Sequence, residues 1–194
     1  MANFKIFTES KSDVKFLKDY VEQVIKINLT NDNFDTLGSW SGYKEGGKLK
    51  QSFIENNNNE NISILILDAD TNFENRRNEV LTDFKAFGNP IELFLFPNNK
   101  NNGELETLLA EIAVDRKLIG CFEGYEKCIE GYEAPVTKSK IFAYLDALLP
   151  HINKDNNKKD LIQEANRNYR NAAHWNLSHD YLNPLKDFLT KYIK

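Results

Sequence analysis

Residues Ile62-Ser63-Ile64-Leu65-Ile66-Leu67 are β-branched or apolar almost throughout. Side chains of a strand point alternately to opposite faces, so this run has no face to offer water. A strand apolar on both sides belongs inside a parallel sheet that helices cover above and below. Its length excludes a membrane span, as does that of the other long apolar run at 91–96, because a spanning helix needs ~20 apolar residues.

The neighbouring segments fit such a sheet. Phe4-Lys5-Ile6-Phe7 reads as a first strand, and Val14, Leu17, Val21, Val24 and Ile25 then recur at three- and four-residue steps, the spacing of one helix face. Ser12 is the expected cap of that helix. A weaker strand lies within 34–43, where Gly38 and Gly42 blur the pattern, and residues 48–55 read as helix before a polar Asn loop. Val80, Leu81, Phe84 and Phe87 mark another helix, closed by Gly88-Asn89-Pro90. A strand at 91–96, a polar loop and Gly103 lead to a helix carrying Leu105, Leu108, Leu109 and Ile112.

Strand and helix alternating four times imply right-handed crossovers and a parallel sheet. After Lys117 the alternation stops; residues 138–149, 159–169 and 181–193 read as helices, with a Lys/Asn/Asp-rich linker at 153–160. The expected fold is α/β, a Rossmannoid parallel sheet of about four strands flanked by helices. The expected core spans 1–118, and a mostly helical extension at 119–194 packs on it.

Composition narrows the function. With 41% hydrophobic residues the chain is not disordered. Its 25 Lys+Arg stand against 29 Asp+Glu, which excludes a strongly basic nucleic-acid binder. Contact with nucleic acid must rest on a local patch, a metal or a partner. Cys121 and Cys128 match no disulfide, zinc or redox spacing and read as ordinary half-buried thiols. The N-terminus lacks a basic region followed by an apolar stretch, so the expected location is cytoplasmic. Walker, nucleophile-elbow and dinucleotide fingerprints do not occur.

The acidic residues carry the chemistry. Ligands of open parallel sheets bind outside the carboxyl ends of the strands, where strand order reverses. Glu9 follows the first strand and Asp13 opens the first helix; Asp68 and Asp70 follow the third strand; Glu104 and Glu106 open the helix after the fourth. With a 2-1-3-4 strand order, Glu9, Asp68 and Asp70 come close together. Two like charges 4 Å apart repel by roughly 4 kcal/mol at an effective dielectric of 20, so some carboxyls are protonated or a divalent cation lies among them. Hard oxygen donors without spaced His or Cys favour Mg²⁺ or Mn²⁺ over zinc. The alternatives for single residues are an Asp68 turn or cap and placement of Glu104 and Glu106 near a helix dipole.

At these residues the chain resembles the Toprim family, the metal-binding fold of topoisomerases, primases and overcoming-lysogenization-defect nucleases. The pattern is a Glu after the first strand, here Phe7-Thr8-Glu9-Ser10-Lys11-Ser12-Asp13, and Asp-x-Asp after a later one, here Asp68-Ala69-Asp70. A Toprim-like family of prokaryotic proteins is similar also at Leu95-Phe96-Pro97-Asn98, Gly103-Glu104-Leu105-Glu106, Lys138-Ser139-Lys140 and the tail at 182–189. The resemblance implies metal-ligand roles for Glu9, Asp13, Asp68, Asp70 and Glu106. It also implies metal-assisted phosphodiester hydrolysis of nucleic acid. Glu9, Asp68 and Asp70 are then catalytic, and Lys138, Lys140 or Lys11 supply positive charge to the transition state. Ser10 replaces the glycine that usually follows the Glu, where a side chain crowds backbone approach to phosphate. Arg76 and Arg77 are expected on a nucleic-acid backbone or on a solvated helix face.

Three rival readings remain. A haloacid-dehalogenase-like phosphotransferase also places Asp-x-Asp after a buried strand, but Asn72 stands where that pattern has Thr or Val. A glycosyltransferase with a metal-bound nucleotide sugar needs a larger core. A non-catalytic Toprim-shaped module would instead bind a partner protein within a defence or repair assembly.

Overall fold

The computed structural model describes residues 4–38, 48–86, 90–133, 135–149 and 162–193. Its strands are β1 (Phe4–Thr8), β2 (Phe34–Thr36), β3 (Ile62–Asp68) and β4 (Glu92–Phe96). They form one sheet in the order β2-β1-β3-β4, with every pairing parallel. The α-helices are α1 (Lys11–Tyr20), α2 (Lys48–Asn58), α3 (Phe73–Ala86), α4 (Leu105–Ile112), α5 (Arg116–Cys128), α6 (Lys138–Leu148) and α7 (Asn183–Tyr192). The chain is thus an α/β fold with a helical C-terminal region, and none of its described helices is long and apolar enough to cross a membrane.

The period-two alternation divides the interior into two cores. Ile6, Ile64, Ile66, Phe94 and Phe96 pack with Phe16 of α1, Leu108 of α4 and Tyr144 of α6. Phe7, Leu65, Leu67, Leu93 and Leu95 meet Phe53 of α2 and Val80 and Phe84 of α3 on the other face. Each such side chain contributes roughly 1.5–3 kcal/mol when fully buried, so both faces of β3 need their cover. Trp175 and the α7 residues Leu185 and Leu189 belong to the first core. The extension therefore supplies part of one helical layer.

Local details depart from the sequence expectations. Ser10, not Ser12, caps α1: Asp13 N–H donates to Ser10 Oγ at 3.3 Å while Ser10 N–H donates to Asp13 Oδ2 at 2.8 Å. This reciprocal pair satisfies two backbone donors at once. Ser10 sits in ordinary extended backbone (φ −137°), so no glycine is required there. Helix α5 was not foreseen, and its Cys121 and Cys128 are exposed free thiols rather than half-buried ones. Where a helix was expected at 159–169, the described part from 162 has helical backbone at Ile162 and then a 3-10 turn, Glu164–Asn166, after which Arg167 leaves the helical conformation (ψ +133°). Arg167 and Tyr169, past that turn, are carried into the interior. The linker at 153–160, Trp40 and the turn at 88–89 lie outside the described residues.

Candidate carboxylate site

The strand order puts the switch point between β1 and β3, which pair in register from Phe4↔Ile62 to Thr8↔Ile66. Glu9 leaves β1 beside the end of β3, and its Oε1 accepts the Asp68 N–H at 3.2 Å. Two loops are then fastened together. Ala69 N–H and Asp70 N–H both donate to the Gly103 carbonyl, at 3.0 and 3.1 Å, and Gly103 N–H returns a 2.8 Å bond to the Asp70 carbonyl. Both residues take positive φ, +52° at Asp70 and +133° at Gly103. This fastening brings the start of α4 against the end of β3, where Leu105 N–H donates to Asp68 Oδ1 at 3.0 Å. Asp68 thus satisfies one of the donors that a helix start leaves open.

The fold gathers acids from three crossovers at this edge. Asp13 and Glu106 are both 5% exposed, and Asp68 feels the charges of Asp13, Glu9 and Glu106. Burial, then these charges, holds the Asp68 carboxyl well above the usual range against the pull of Leu105 N–H. Burial pushes Asp13 up to about 7; Ser10 opposes the rise, and Glu9 and Glu106 add to it. Glu9 is raised by burial and by Asp70, with Arg76 and the Asp68 N–H pulling the other way. Glu104, which accepts a 3.3 Å bond from Thr137 Oγ1, is raised by burial and by Glu106.

Two arginines stand inside the cluster. Arg76 of α3 is 5% exposed; its Nη2 lies 2.9 Å from Glu9 Oε1 and 3.5 Å from Asp70 Oδ2, and its Nε donates to the Asp68 carbonyl at 3.2 Å. The expectation of a nucleic-acid contact or a solvated helix face at Arg76 is corrected: Arg76 is buried and serves as an internal counter-ion, because the half-buried Glu9 carboxylate lies on its side of the edge. Arg167 reaches Glu106 Oε1 at 3.3 Å and lies over the Phe142 ring. Its Nη2 and the Tyr169 hydroxyl are buried with no hydrogen-bond partner among the described residues. Sequence reasoning missed both; a lone Arg and Tyr in the Asn-rich stretch Asn166-Arg167-Asn168-Tyr169 carry no periodic signal.

The expected lysines separate. Lys138, at the start of α6, pairs with Glu164 at 2.8 Å and lies within the field of Glu106 and Arg167. Lys140 pairs with Glu126 of α5 at 3.0 Å and with Glu123 at 3.8 Å. The fold commits it to α5, two positions past Lys138 on the helix.

Among the described residues the candidate ligands at this edge are carboxylate oxygens, which suit Mg²⁺ or Mn²⁺. As the side chains stand, no three described His, Cys, Asp or Glu residues form a group that could hold a metal ion. The donor chemistry is nonetheless that which a hard cation takes. The charge of Asp13 helps to raise the Asp68 carboxyl, and neither residue forms an ion pair among the described residues. The orphaned Arg167 N–H and Tyr169 O–H both call for an oxygen acceptor, such as water around a cation or a phosphate.

Fold and site together define an α/β protein with a buried acidic edge at the switch point of a parallel sheet. The chain belongs to the family described as "Protein of unknown function (DUF3226)", whose profile matches residues 3–194. Neither a curated protein nor a solved structure matches it.

Proposed function

We propose that this chain is a Toprim-like protein that binds Mg²⁺ or Mn²⁺ at the carboxyl edge of its sheet and hydrolyses nucleic-acid phosphodiesters. The observation that carries this reading is the gathering of acids from three crossovers at one sheet edge, where the charges of Glu9 and Glu106 act on both Asp13 and Asp68. Such a cluster is costly in a low-dielectric interior and is stabilised by a divalent cation. A bound cation would supply polarisation of the phosphate and activation of water. Asp13 and Asp68 would hold it, the Leu105 N–H orients Asp68, and Glu106 pairs with Arg167 at 3.3 Å. Lys138, beside Glu106, offers positive charge to the leaving oxygen. The proposed setting is the cytoplasm, with nucleic acid as ligand.

The test is incubation of purified protein with single- and double-stranded DNA and RNA in Mg²⁺, Mn²⁺ or chelator. Metal-dependent cutting by the wild type and none by Asp68→Asn is the expected result. One observation favours a second reading: Arg76 already neutralises Glu9 and Asp70, as suits a non-catalytic module that binds a partner protein. Cation binding without cutting of any substrate would select it.

A further inference from the structure

Helix α5 keeps only Ile119 buried along its 13 residues. Its inner side is marked by Ile119 and by Glu123 and Glu126, which both meet Lys140 of α6. At about 100° per residue, Lys117, Cys121, Gly124 and Cys128 form a stripe on the opposite side, and all four are exposed. A Cβ added at Gly120 or Gly124 meets nothing within 4 Å among the described residues. Free cysteine is among the most buried residue types and packs as a small apolar side chain, so two exposed thiols on one stripe mark a surface suited to being covered. Among the described residues the large exposed apolar side chains, Val114, Tyr125, Tyr132 and Val136, all fall within 114–136, on α5 and its flanks.

The charges add a direction. Behind its Asp115 cap, α5 carries Arg116 and Lys117 in the first turn, whereas Glu130 and Glu133 follow Lys127 past its last turn. A helix dipole favours anions at the start and cations at the end, so both ends are mismatched within one chain. An antiparallel copy of the same helix corrects both, because each basic start then faces an acidic end.

We propose that the outer face of α5 seats a second copy of this chain, packed antiparallel about a two-fold axis between Gly124 and Tyr125. Such an interface is self-complementary, so every contact occurs twice. The axis sets Cys121 against Cys128 of the second copy and places Lys117 between that copy's Glu130 and Glu133. Gly124 has no Cβ to hold the backbones apart, and Tyr125 of each copy covers Gly124 of the other. Cys121 and Cys128 of one chain lie about 10.5 Å apart along the helix, too far to pair with each other. A disulfide needs Cα atoms about 4.4–6.8 Å apart, which only the crossed Cys121–Cys128 pairing between copies meets. This surface stands apart from the acidic edge and does not depend on the metal reading.

Light scattering of the full chain in reductant, over a range of concentrations, tests the association, and cross-linking with copper-phenanthroline and oxygen tests the geometry. A reversible dimer is expected, with a covalent dimer after oxidation whose linked peptides join Cys121 to Cys128. Cys121→Ser and Cys128→Ser should each lose nearly all of the covalent dimer. Gly124→Arg adds a better helix former at an open position and should keep the fold while losing the dimer. A monomer at every concentration overturns the inference. So does a folded Gly124→Arg that stays dimeric, or a covalent dimer that forms as readily in either serine variant. Should Gly124→Arg fail to fold, the wild-type mass and the serine variants decide the matter.

Discussion

Glu106 and Arg167, 61 residues apart in the chain, meet at 3.3 Å in the interior. Glu106 opens α4, whereas Arg167 follows the 3-10 turn Glu164–Asn166 ahead of α7, so this pair ties the C-terminal region to the acidic edge. Removing one partner of a buried pair leaves an uncompensated charge, at a cost of about 3–5 kcal/mol. Arg167→Met should therefore lower the melting temperature by roughly 6–20 °C for a chain of this size. Adding Glu106→Gln should recover most of the loss. Thermal unfolding of the single and double variants measures both; equal losses in the two would refute coupling between the residues.

Divalent metal should stabilise the fold by mass action. At 100 times the dissociation constant the gain is ~2.7 kcal/mol, or about 5–10 °C in melting temperature. In Asp68→Asn the Mn²⁺-induced shift should vanish, and the chelated protein should melt no lower than wild type, since a like charge has gone. If Asp68 were only the cap of α4, Asn would accept the Leu105 N–H equally well and the Mn²⁺ response would be unchanged. Melting curves in chelator and in millimolar Mn²⁺ separate the two outcomes.

The raised carboxyls give the metal-free protein a defined pH dependence. A carboxyl whose folded pKa exceeds its unfolded value stabilises the fold fully below the unfolded value, and that stability is lost as pH rises through the folded one. For Asp13 the window runs from its ordinary 3.8 to about 7, and Asp68 shifts in the same direction. His174, lowered by burial, acts with opposite sign, losing stability as pH falls. Urea midpoints between pH 5 and 8 should thus fall more steeply with pH in the wild type than in Asp13→Asn, where His174 is unchanged. Parallel curves would show that Asp13 is not the titrating group.

Gly103 is the hinge of the fastening between the β3 exit and α4. Its φ of +133° strains any side chain, and an added Cβ would lie 2.6 Å from Thr107 Oγ1. That hydroxyl accepts the Glu104 N–H at 3.2 Å. Gly103→Ala should cost about 1–3 kcal/mol and, by shifting Leu105 away from Asp68, weaken Mn²⁺ binding as well. Loss of stability with unchanged Mn²⁺ affinity would place Gly103 outside the site.

Much of the scaffold was legible from residue order. Ile64 and Ile66 face one core and Leu65 and Leu67 the other, as a two-sided apolar strand requires, and the 2-1-3-4 order brought Glu9 beside Asp68 as anticipated. Periodicity reports which face is apolar, and chain direction reports which residues leave the carboxyl ends. Neither reports counter-ions. Ser10 rather than Ser12 became the cap because the reciprocal bond with Asp13 depends on backbone angles at the strand exit.

What the sequence determined by itself was a parallel α/β sheet with acids at one edge, because strand burial and crossover handedness are local and repetitive properties. What only the tertiary structure decided was how that edge is charged. Arg76 turned inward to Glu9 and Asp70, Arg167 and Tyr169 entered from the C-terminal region, and Lys140 was drawn off to Glu126. A buried charge takes whatever opposite charge the packing brings within a few ångströms, and that distance is set by elements far apart in the chain.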